Sequence, residues 1–389
     1  MEKPKRRPNL FLRFLAFLLT LALVLGAVFL VANWQKLNFD SVKRYFTYRS
    51  LSKNDGGQAE SFSYDGAVTD AFACVDSDLL LCSASGVRLY SGSGTNYVTE
   101  NLRMDHPVLS AGKKAGLVYD AGAQHLFVYS DRQQVFSLAL EAGSTVLSAS
   151  LNAQDALTVV TQKSGYKGVV TVYNTSYEPV ISVNLSSRFI TDAILSPDGK
   201  TVAIATAGQT DGVYDSQIAF YPANAKAKNE GPAAIASLGN DAILKLSWAG
   251  GDLKVLGENA LTLLKADGST AGAYSYDGGY LKGCALDGDG FSALLLGKYR
   301  AGAAGQHLVL VDGAGAETAD LSLDEQILSL DAAGRYLSVL TADHLSIYDP
   351  DLTVYHDSTD TQGARKVLQR ADGSVLLIST GKARLYLPQ

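Results

Sequence analysis

Histidine and cysteine are the side chains of this sequence with the widest catalytic and metal-binding chemistry, and both are scarce. Five histidines occur in 389 residues, and three of them, His125, His307 and His344, stand four residues before a recurring tyrosine-type position. Equivalent positions in adjacent repeats lie too far apart to give one ion two Zn–N bonds of about 2.0–2.1 Å. The sequence therefore predicts that these histidines cap strand starts, and it predicts no metal site.

The three cysteines are too few for a disulfide framework. Cys74 and Cys82 flank the turn of one predicted hairpin, which leaves two alternatives open. They form a cross-strand disulfide, or they are two buried free thiols that pack as small apolar residues. Cys284 has no partner in sequence, and we expect it in the core.

Established catalytic motifs are missing from the sequence. It contains no Gly-Lys-Ser/Thr phosphate loop, no H-E-x-x-H, no C-x-x-C and no G-x-S-x-G. Asp287 and Asp289 lie in the turn DGDG, but Ca²⁺ takes about 6–8 oxygen ligands, more than this turn supplies. The sequence predicts no catalytic residue and no cofactor.

Charge is distributed unevenly along the chain. Residues 1–13 carry five basic side chains and one acidic side chain, a net charge of +4. The remainder carries 28 basic and 38 acidic residues, a net charge of −10. Because a domain of this charge repels phosphate backbones, the sequence predicts that no nucleic acid is bound.

An uncharged run of nineteen residues, from Phe14 to Ala32, follows the basic segment. As a helix it would be about 28 Å long, close to the ~30 Å hydrocarbon core of a membrane. A cleaved signal peptide is the alternative, but its apolar region is shorter and the small residues of a cleavage site are poorly placed here. We expect a cytoplasmic tail (1–13), a transmembrane helix (14–33), a juxtamembrane helix and linker (34–58), and an extracytoplasmic domain (59–389).

The rest of the chain repeats with a period of about 42 residues. An alternating apolar strand ends at tyrosine, or at an apolar residue in its place, in each repeat. These positions are Tyr90, Tyr129, Tyr173, Tyr221, Leu264, Val311, Tyr348 and Tyr386. A hairpin precedes each one and a weaker fourth strand follows most of them, which is the size of a propeller blade.

The last repeat ends without its fourth strand, whereas an unassigned strand, AESFSYDG (59–66), precedes the first repeat. We expect this strand to complete the last blade and close the ring. The predicted fold is therefore all-β, a propeller of eight four-stranded blades, with seven as the alternative count. A pair of β-sandwiches would not explain one sustained period.

Three repeats have long connections between their second and third strands, at 162–168, 207–217 and 297–306. In a propeller these loops share one face, and insertions in repeats often mark a binding face. Each connection carries a tyrosine beside charged residues, and tyrosine and arginine are enriched at binding hot spots. The predicted partner-binding residues are Tyr166, Lys167, Asp211, Tyr214, Asp215, Lys298, Tyr299 and Arg300. The alternative is that a chain with 20 tyrosines places some in loops without any partner.

The hairpin SPDGK (196–200) resembles that of TolB-type and WD40-like bacterial propeller repeats. Across nearly the full chain, the layout of basic tail, single helix and Tyr-ended repeats resembles an uncharacterised family of membrane-anchored propeller proteins of Gram-positive bacteria. The resemblance implies a fold and a location, and it implies no catalytic residue.

Two classes of function follow from these observations. The first is a scaffold or sensor in the cell envelope that binds an envelope protein or cell-wall component with its long loops. The second is an envelope hydrolase, or a small-ligand binder, with its site at the central channel. Acidic or histidine side chains clustered in that channel would favour the enzyme.

Overall fold

A computed structural model of the protein describes residues 10–32, 40–49, 58–67, 69–224, 231–249 and 251–388. The chain divides into two compact units, Met1–Ser50 and Leu51–Gln389. The first unit contains helices α1 (Leu10–Ala32) and α2 (Asp40–Tyr48). Within the described residues, no helix has the length and hydropathy that crossing a membrane requires. The predicted linker and the start of the predicted juxtamembrane helix lie outside the described residues, apart from Gln58.

The second unit folds into eight four-stranded antiparallel sheets. Blades 1 to 4 take their strands in chain order: β2 (Ala71–Val75), β3 (Asp78–Ser83), β4 (Gly86–Tyr90), β5 (Asn96–Glu100); β6 (Pro107–Ala111), β7 (Ala115–Asp120), β8 (His125–Ser130), β9 (Gln133–Ala139); β10 (Thr145–Leu151), β11 (Leu157–Gln162), β12 (Gly168–Tyr173), β13 (Pro179–Leu185); β14 (Phe189–Leu195), β15 (Thr201–Thr210), β16 (Val213–Pro222), β17 (Ala234–Ser237).

Blades 5 to 8 continue the order, and blade 8 borrows β1: β18 (Ile243–Ala249), β19 (Asp252–Gly257), β20 (Ala260–Leu264), β21 (Thr270–Ser275); β22 (Tyr280–Ala285), β23 (Phe291–Gly297), β24 (Gln306–Asp312), β25 (Glu317–Leu323); β26 (Ser329–Ala333), β27 (Tyr336–Leu340), β28 (Leu345–Tyr348), β29 (Val354–Ser358); β30 (Lys366–Gln369), β31 (Val375–Ser379), β32 (Lys382–Tyr386), β1 (Gln58–Ser63).

The ring closes through its first strand. β1 pairs antiparallel with β32, so that Gln58 lies opposite Tyr386 and Ser63 opposite Lys382. Eight blades and closure by the strand near residue 59 are therefore confirmed, and the seven-bladed alternative is excluded. Closure leaves no blade without a neighbour, which protects the sheet edges.

The alternating strand directions define two faces of the ring. The first strand of each blade begins on the face that carries the connections between second and third strands, hereafter the 2–3 face. It ends on the opposite face, which carries the turns between first and second strands, hereafter the 1–2 face. Because β1 is a fourth strand, the chain joins the ring on the 1–2 face, at Gln58.

The core lies between blades. Tyr129 of blade 2 packs with Leu80, Cys82 and Leu89 of blade 1, and its hydroxyl donates to Glu100 Oε2 at 2.7 Å. The eight recurring tyrosine-type positions are all buried except Tyr173, which is half-buried against the core between blades 2 and 3. These residues therefore fill the space between blades, and they form no separate site.

The cysteines are free thiols. In the register of β2 with β3, Cys74 lies opposite Leu79 and Cys82 opposite Ala71, so the two thiols do not face each other. Burial raises the pKa of Cys82 to about 12, which leaves it an inert small apolar group. Of the two alternatives for this pair, the structure has the free thiols.

Candidate functional site

Blades 3 to 6 differ from the others in their first strands. Each of these four strands has a β-bulge near its start, whereas the first strands of blades 1, 2, 7 and 8 pair without a register shift. In blade 3, Val146 pairs with Thr161 and Ser148 with Val160, which leaves Leu147 unpaired between them. The equivalent residues are Thr191, Leu244 and Lys282. A bulge redirects side chains, and bulges are frequent beside functional sites.

Exposed apolar side chains collect on the 2–3 face of the same four blades. Of eleven exposed large apolar residues in the described part of the propeller, eight lie there. This aromatic patch consists of Leu147, Tyr166, Phe189, Val213, Tyr214, Leu244, Tyr280 and Tyr299. Contiguous exposed apolar surface is uncommon on soluble domains and marks interaction sites.

In blade 3, the predicted residues Tyr166 and Lys167 lie in the connection between β11 and β12. The Tyr166 ring is 43% exposed. The Lys167 Nζ lies 4.2 Å from the centroid of Phe189, the first residue of β14 in blade 4. A cation over an aromatic face is attracted by the ring quadrupole, so this contact orients both side chains at the boundary between the blades.

In blade 4, residues 207–217 form no loop. β15 and β16 instead continue as a hairpin, with Gly208 opposite Asp215 and Gln209 opposite Tyr214. The turn is Asp211-Gly212, and both residues have positive φ, as a tight hairpin turn requires. The extension holds Tyr214, 42% exposed, on a regular strand.

Asp215 differs from its neighbours because it is buried and fully engaged. Arg188 Nη1 donates to its Oδ1 at 2.9 Å, Arg188 Nη2 donates to its carbonyl at 2.7 Å, and Gln217 Nε2 donates to its Oδ2 at 2.8 Å. The hydrogen bond from Arg188 lowers the pKa of Asp215. These contacts tie the base of the hairpin to the strand start that carries Phe189.

In blade 6, Lys298, Tyr299 and Arg300 lie between β23 and β24. Tyr299 is 55% exposed, and the Lys298 Nζ lies 5.6 Å from its ring centroid. Arg300 stacks over Tyr280, with its guanidinium carbon 5.7 Å from that ring centroid, and the bulged Lys282 donates to the Arg300 carbonyl. Loop, bulge and strand start are thus joined in one cluster.

The cations of the patch carry unneutralised charge. Among the described residues, no carboxylate lies within 4 Å of Lys167, Lys298 or Arg300, and all three are exposed. The patch therefore combines apolar rings with free positive charge. Of the predicted residues, the structure brings all eight to one face over blades 3, 4 and 6, with Asp215 in a supporting position.

A cavity of about 670 Å³ occupies the central channel toward the 1–2 face. Its walls are apolar side chains from the ends of the first strands, among them Leu109, Leu151, Ile194 and Leu246. Its polar lining includes Lys113, Lys245 and Asp287, with Ser247 Oγ donating to Asp287 Oδ1 at 2.9 Å.

Two further aspartates lie in channel-facing strands. Burial raises the pKa of Asp192, which accepts from Ser148 Oγ at 2.7 Å. Burial also raises the pKa of Asp331 to about 6, and its Oδ2 accepts from the backbone N–H of Gln369 at 2.7 Å. The positive charge of Lys245 opposes both shifts. Asp287 is thus the aspartate that lines the cavity, whereas Asp192 and Asp331 lie in the first strands of blades 4 and 7 and are not part of its lining.

Within the described part of the chain, no group of three or more histidine, cysteine, aspartate or glutamate side chains has the geometry to hold an ion. His307 Nδ1 lies 3.1 Å from Asp320 Oδ1, and His125 stacks on Phe127 with ring centroids 6.4 Å apart.

Sequence reasoning missed Phe189, Tyr280 and the channel residues. Phe189 and Tyr280 begin first strands. Because other strands bury phenylalanine and tyrosine, the residue type alone did not predict that these two side chains are exposed. The sequence contains a pattern that could have predicted Asp192 and Lys245. In ITDAIL (190–195) and LKLSWA (244–249), one charged residue interrupts an otherwise mainly apolar first strand.

The ring defines a β-propeller of the WD40-like class, and solved structures share that fold. The C-terminal WD40 domain of Sif2 gives a TM-score of 0.57 at 12% identity, covering 83% of this chain and 98% of that one. A structure described as the eukaryotic initiation factor gives 0.50 at 12% identity, covering 81% and 82%.

At the level of sequence, residues 47–384 match the model of a family described as "Family of unknown function (DUF5711)". The chain belongs to that family. A search of curated proteins finds no match.

Proposed function

We propose that this protein is a scaffold or sensor of the cell envelope that binds a partner protein on the 2–3 face of blades 3 to 6. The observation that carries the proposal is the aromatic patch, in which eight exposed apolar side chains coincide with four bulged strands and three unpaired cations. Rings supply contact area at low cost in side-chain entropy, and arginine and tyrosine are common hot-spot residues.

The ring is suited to display because each blade packs against a neighbouring blade on both sides. A partner then meets a surface that needs no ordering on binding, which lowers the entropic cost of association. Lys167 and Arg300 are already held against rings, so the orientation of their charges is set before a partner arrives.

The proposal includes attachment to the cell membrane, with the propeller outside the cytoplasm. It is supported by the apolar run from Phe14 to Ala32 and by the basic segment before it, since basic flanks remain cytoplasmic. An envelope protein or cell-wall component is then the class of partner, and a Gram-positive bacterium the kind of source. Membrane extraction with alkaline carbonate and protease treatment of intact cells test this part. Release by carbonate, or a protected propeller, would contradict it.

Binding is tested by chemical cross-linking and capture from native membranes with three forms of the full chain. The first is wild type and the second is Tyr166→Ser/Tyr214→Ser/Tyr299→Ser. The matched control is Val135→Ser/Ile235→Ser/Val354→Ser, which removes three exposed apolar side chains from other surfaces. We expect wild type and control to retain the same partner and the patch variant to lose it. Equal capture by all three forms would place the interface elsewhere.

A second candidate, hydrolysis in the channel, has one observation in its favour. Burial raises the pKa of Asp331 to about 6, and the negative charge of Asp287 adds to that shift, so the Asp331 carboxyl can hold and release a proton near neutral pH. A carboxyl with such a pKa can serve as a general acid or base. Screening of ester, glycoside and peptide substrates with wild type and Asp331→Asn tests it, and turnover equal in both forms would remove Asp331 from any mechanism.

A further inference from the structure

The channel cavity is a separate feature from the aromatic patch. It lies toward the 1–2 face, and its lining comes from blades 1 to 6, whereas the patch is on the 2–3 face. Its volume of about 670 Å³ is within the range of small-molecule sites, which are mostly apolar with a few converging polar groups. An inference drawn from the cavity is therefore independent of the docking function.

Charges of both signs line this one cavity. Lys245 lines it from the bulged strand of blade 5, and Asp287 lies two residues after the first strand of blade 6. Among the described residues, no carboxylate lies within 4 Å of the Lys245 Nζ, so its charge is not neutralised by a direct ion pair. Lys113 adds a second amine at the mouth, also without such a pair.

The carboxylate of Asp287 is held in place. Ser247 Oγ donates to Oδ1 at 2.9 Å, and Ser247 itself is buried. Behind the lining, Asp192 and Asp331 add negative charge on the blades to either side of Lys245 and Asp287. A group bound near Asp287 thus meets a negative potential, whereas a group bound at the two lysines meets a positive one.

Packing does not require these charges. Other first strands line the cavity with small or apolar residues, such as Ala73 and Leu109. Lys245 and Asp287 are both exposed, so their charged groups are accessible to a bound molecule. A ligand with two opposite charges can pair with both of them through charge-assisted hydrogen bonds, and its apolar body would contact Leu151, Ile194 and Trp248.

We propose that the channel cavity binds a small zwitterion, a molecule with an ammonium group and a carboxylate joined by an apolar body. Its ammonium group lies at Asp287 and its carboxylate at Lys245, with Lys113 at the mouth. Free amino acids, ω-amino acids and short peptides with free termini belong to this class.

The test uses a chain-length series of ω-amino acids, from glycine to 8-aminooctanoate, and titration calorimetry of the full chain in detergent. Hexylamine and hexanoate, each with one of the two charges, accompany 6-aminohexanoate as matched probes. We expect at least one member of the series to bind, and at least tenfold tighter than the singly charged probe of equal length.

Two variants assign the ends of the ligand. Lys245→Met should weaken the best ω-amino acid at least tenfold while leaving the alkylamine unchanged, and Asp287→Asn should weaken it while leaving the alkylcarboxylate unchanged. Lys298→Met, on the opposite face, is the matched control and should bind as wild type. Lys245→Arg, which keeps the charge, replaces Lys245→Met if the latter does not fold and should retain binding.

Three results would overturn the proposal. These are no heat of binding with any zwitterion at millimolar concentration, preference for a singly charged probe, or affinity unchanged in both channel variants. Each is independent of the scaffold function, because the patch variant Tyr166→Ser/Tyr214→Ser/Tyr299→Ser should bind the zwitterion as wild type does. Conversely, loss of partner capture in that variant would leave the channel result unaffected.

Discussion

On the 2–3 face, blades 3 to 6 and blades 8 and 1 use the same residue types in opposite ways. In blades 8 and 1, Arg384 and Arg88 are buried. Arg88 donates to the Glu100 carbonyl and to Asn101 Oδ1, both at 2.9 Å, and Arg384 donates to the Thr361 carbonyl at 2.6 Å and to Gln362. In blades 3 and 6, Lys167, Lys298 and Arg300 are exposed and lie against rings.

The difference follows from where the ring closes. Blade 8 is assembled from two distant parts of the chain, and closing such a long loop costs conformational entropy that contacts at the junction must offset. Buried arginines with several acceptors supply such contacts. Blades 3 to 6 are continuous in sequence, so their cations and rings are available for a surface with another purpose.

The largest expected effect on stability is in blades 8 and 1, where the ring closes. Arg384→Met should lower the free energy of unfolding by about 2–5 kcal/mol, because it leaves the buried Thr361 carbonyl without its donor and removes the packing of a buried side chain. The matched variant in blade 6, Lys298→Met, should change the free energy of unfolding by less than about 0.5 kcal/mol. Urea unfolding of both variants measures the two free-energy changes. Equal losses of stability would mean that the cations of blades 3 to 6 stabilise the fold as much as the buried arginines of blades 8 and 1 do.

The next effect is a pH dependence of stability that distinguishes Asp331, near the channel, from Asp215, in the extended hairpin of blade 4. Because the folded state raises the pKa of Asp331 to about 6, its ionisation opposes folding. The stability associated with it is present below pH 4 and is lost as the pH rises toward 6. At 1.36 kcal/mol per unit of pKa, Asp331→Asn should gain up to about 3 kcal/mol relative to wild type between pH 4 and pH 7.

Unfolding of the full chain at a series of pH values measures that difference. A constant gap between Asp331→Asn and wild type would show that Asp331 titrates normally. Asp192, whose pKa is also raised by burial, supplies a second case, because Asp192→Asn should shift the gap in the same direction.

For Asp215, in the extended hairpin of blade 4, the pH dependence of stability has the opposite sign. Arg188 lowers the pKa of Asp215, so the ionised form favours folding, and its contribution is present above the unfolded pKa near 4. Asp215→Asn should therefore destabilise the protein at pH 7, and the deficit should shrink as the pH falls through the pKa of the folded state. A deficit that grows on acidification would contradict the ion pair with Arg188.

The ring was predictable from sequence because turn residues and apolar strands recur with one period, and packing between blades needs the same large residue in each. The patch was predictable in part, since Tyr166, Tyr214 and Tyr299 lie where the repeat length varies. Phe189 and Leu244 were not predictable. A bulge shifts the pairing by one residue without changing the apolar pattern, so residue type alone does not reveal which side chain is turned outward. Asp192 and Asp331 lie in separate repeats and both interact with the charge of Lys245, a relation that no local pattern encodes.

The smallest effect tests whether the patch serves display or folding. Lys167 over Phe189 is an exposed cation–π contact, and such contacts contribute roughly 0.5–1 kcal/mol. A double-mutant cycle of Lys167→Met and Phe189→Leu, measured by urea unfolding, should give a coupling energy in that range. The matched cycle in blade 1, Arg88→Met with Asn101→Ala, tests a hydrogen bond of 2.9 Å from the buried Arg88 guanidinium. It should give a larger coupling energy, because a hydrogen bond from a charged donor contributes about 1.5–3 kcal/mol. A coupling above about 2 kcal/mol for Lys167 and Phe189 would exceed what an exposed pair provides. The rings of blades 3 to 6 would then stabilise the fold, and the argument that they are retained for a partner would lose its basis.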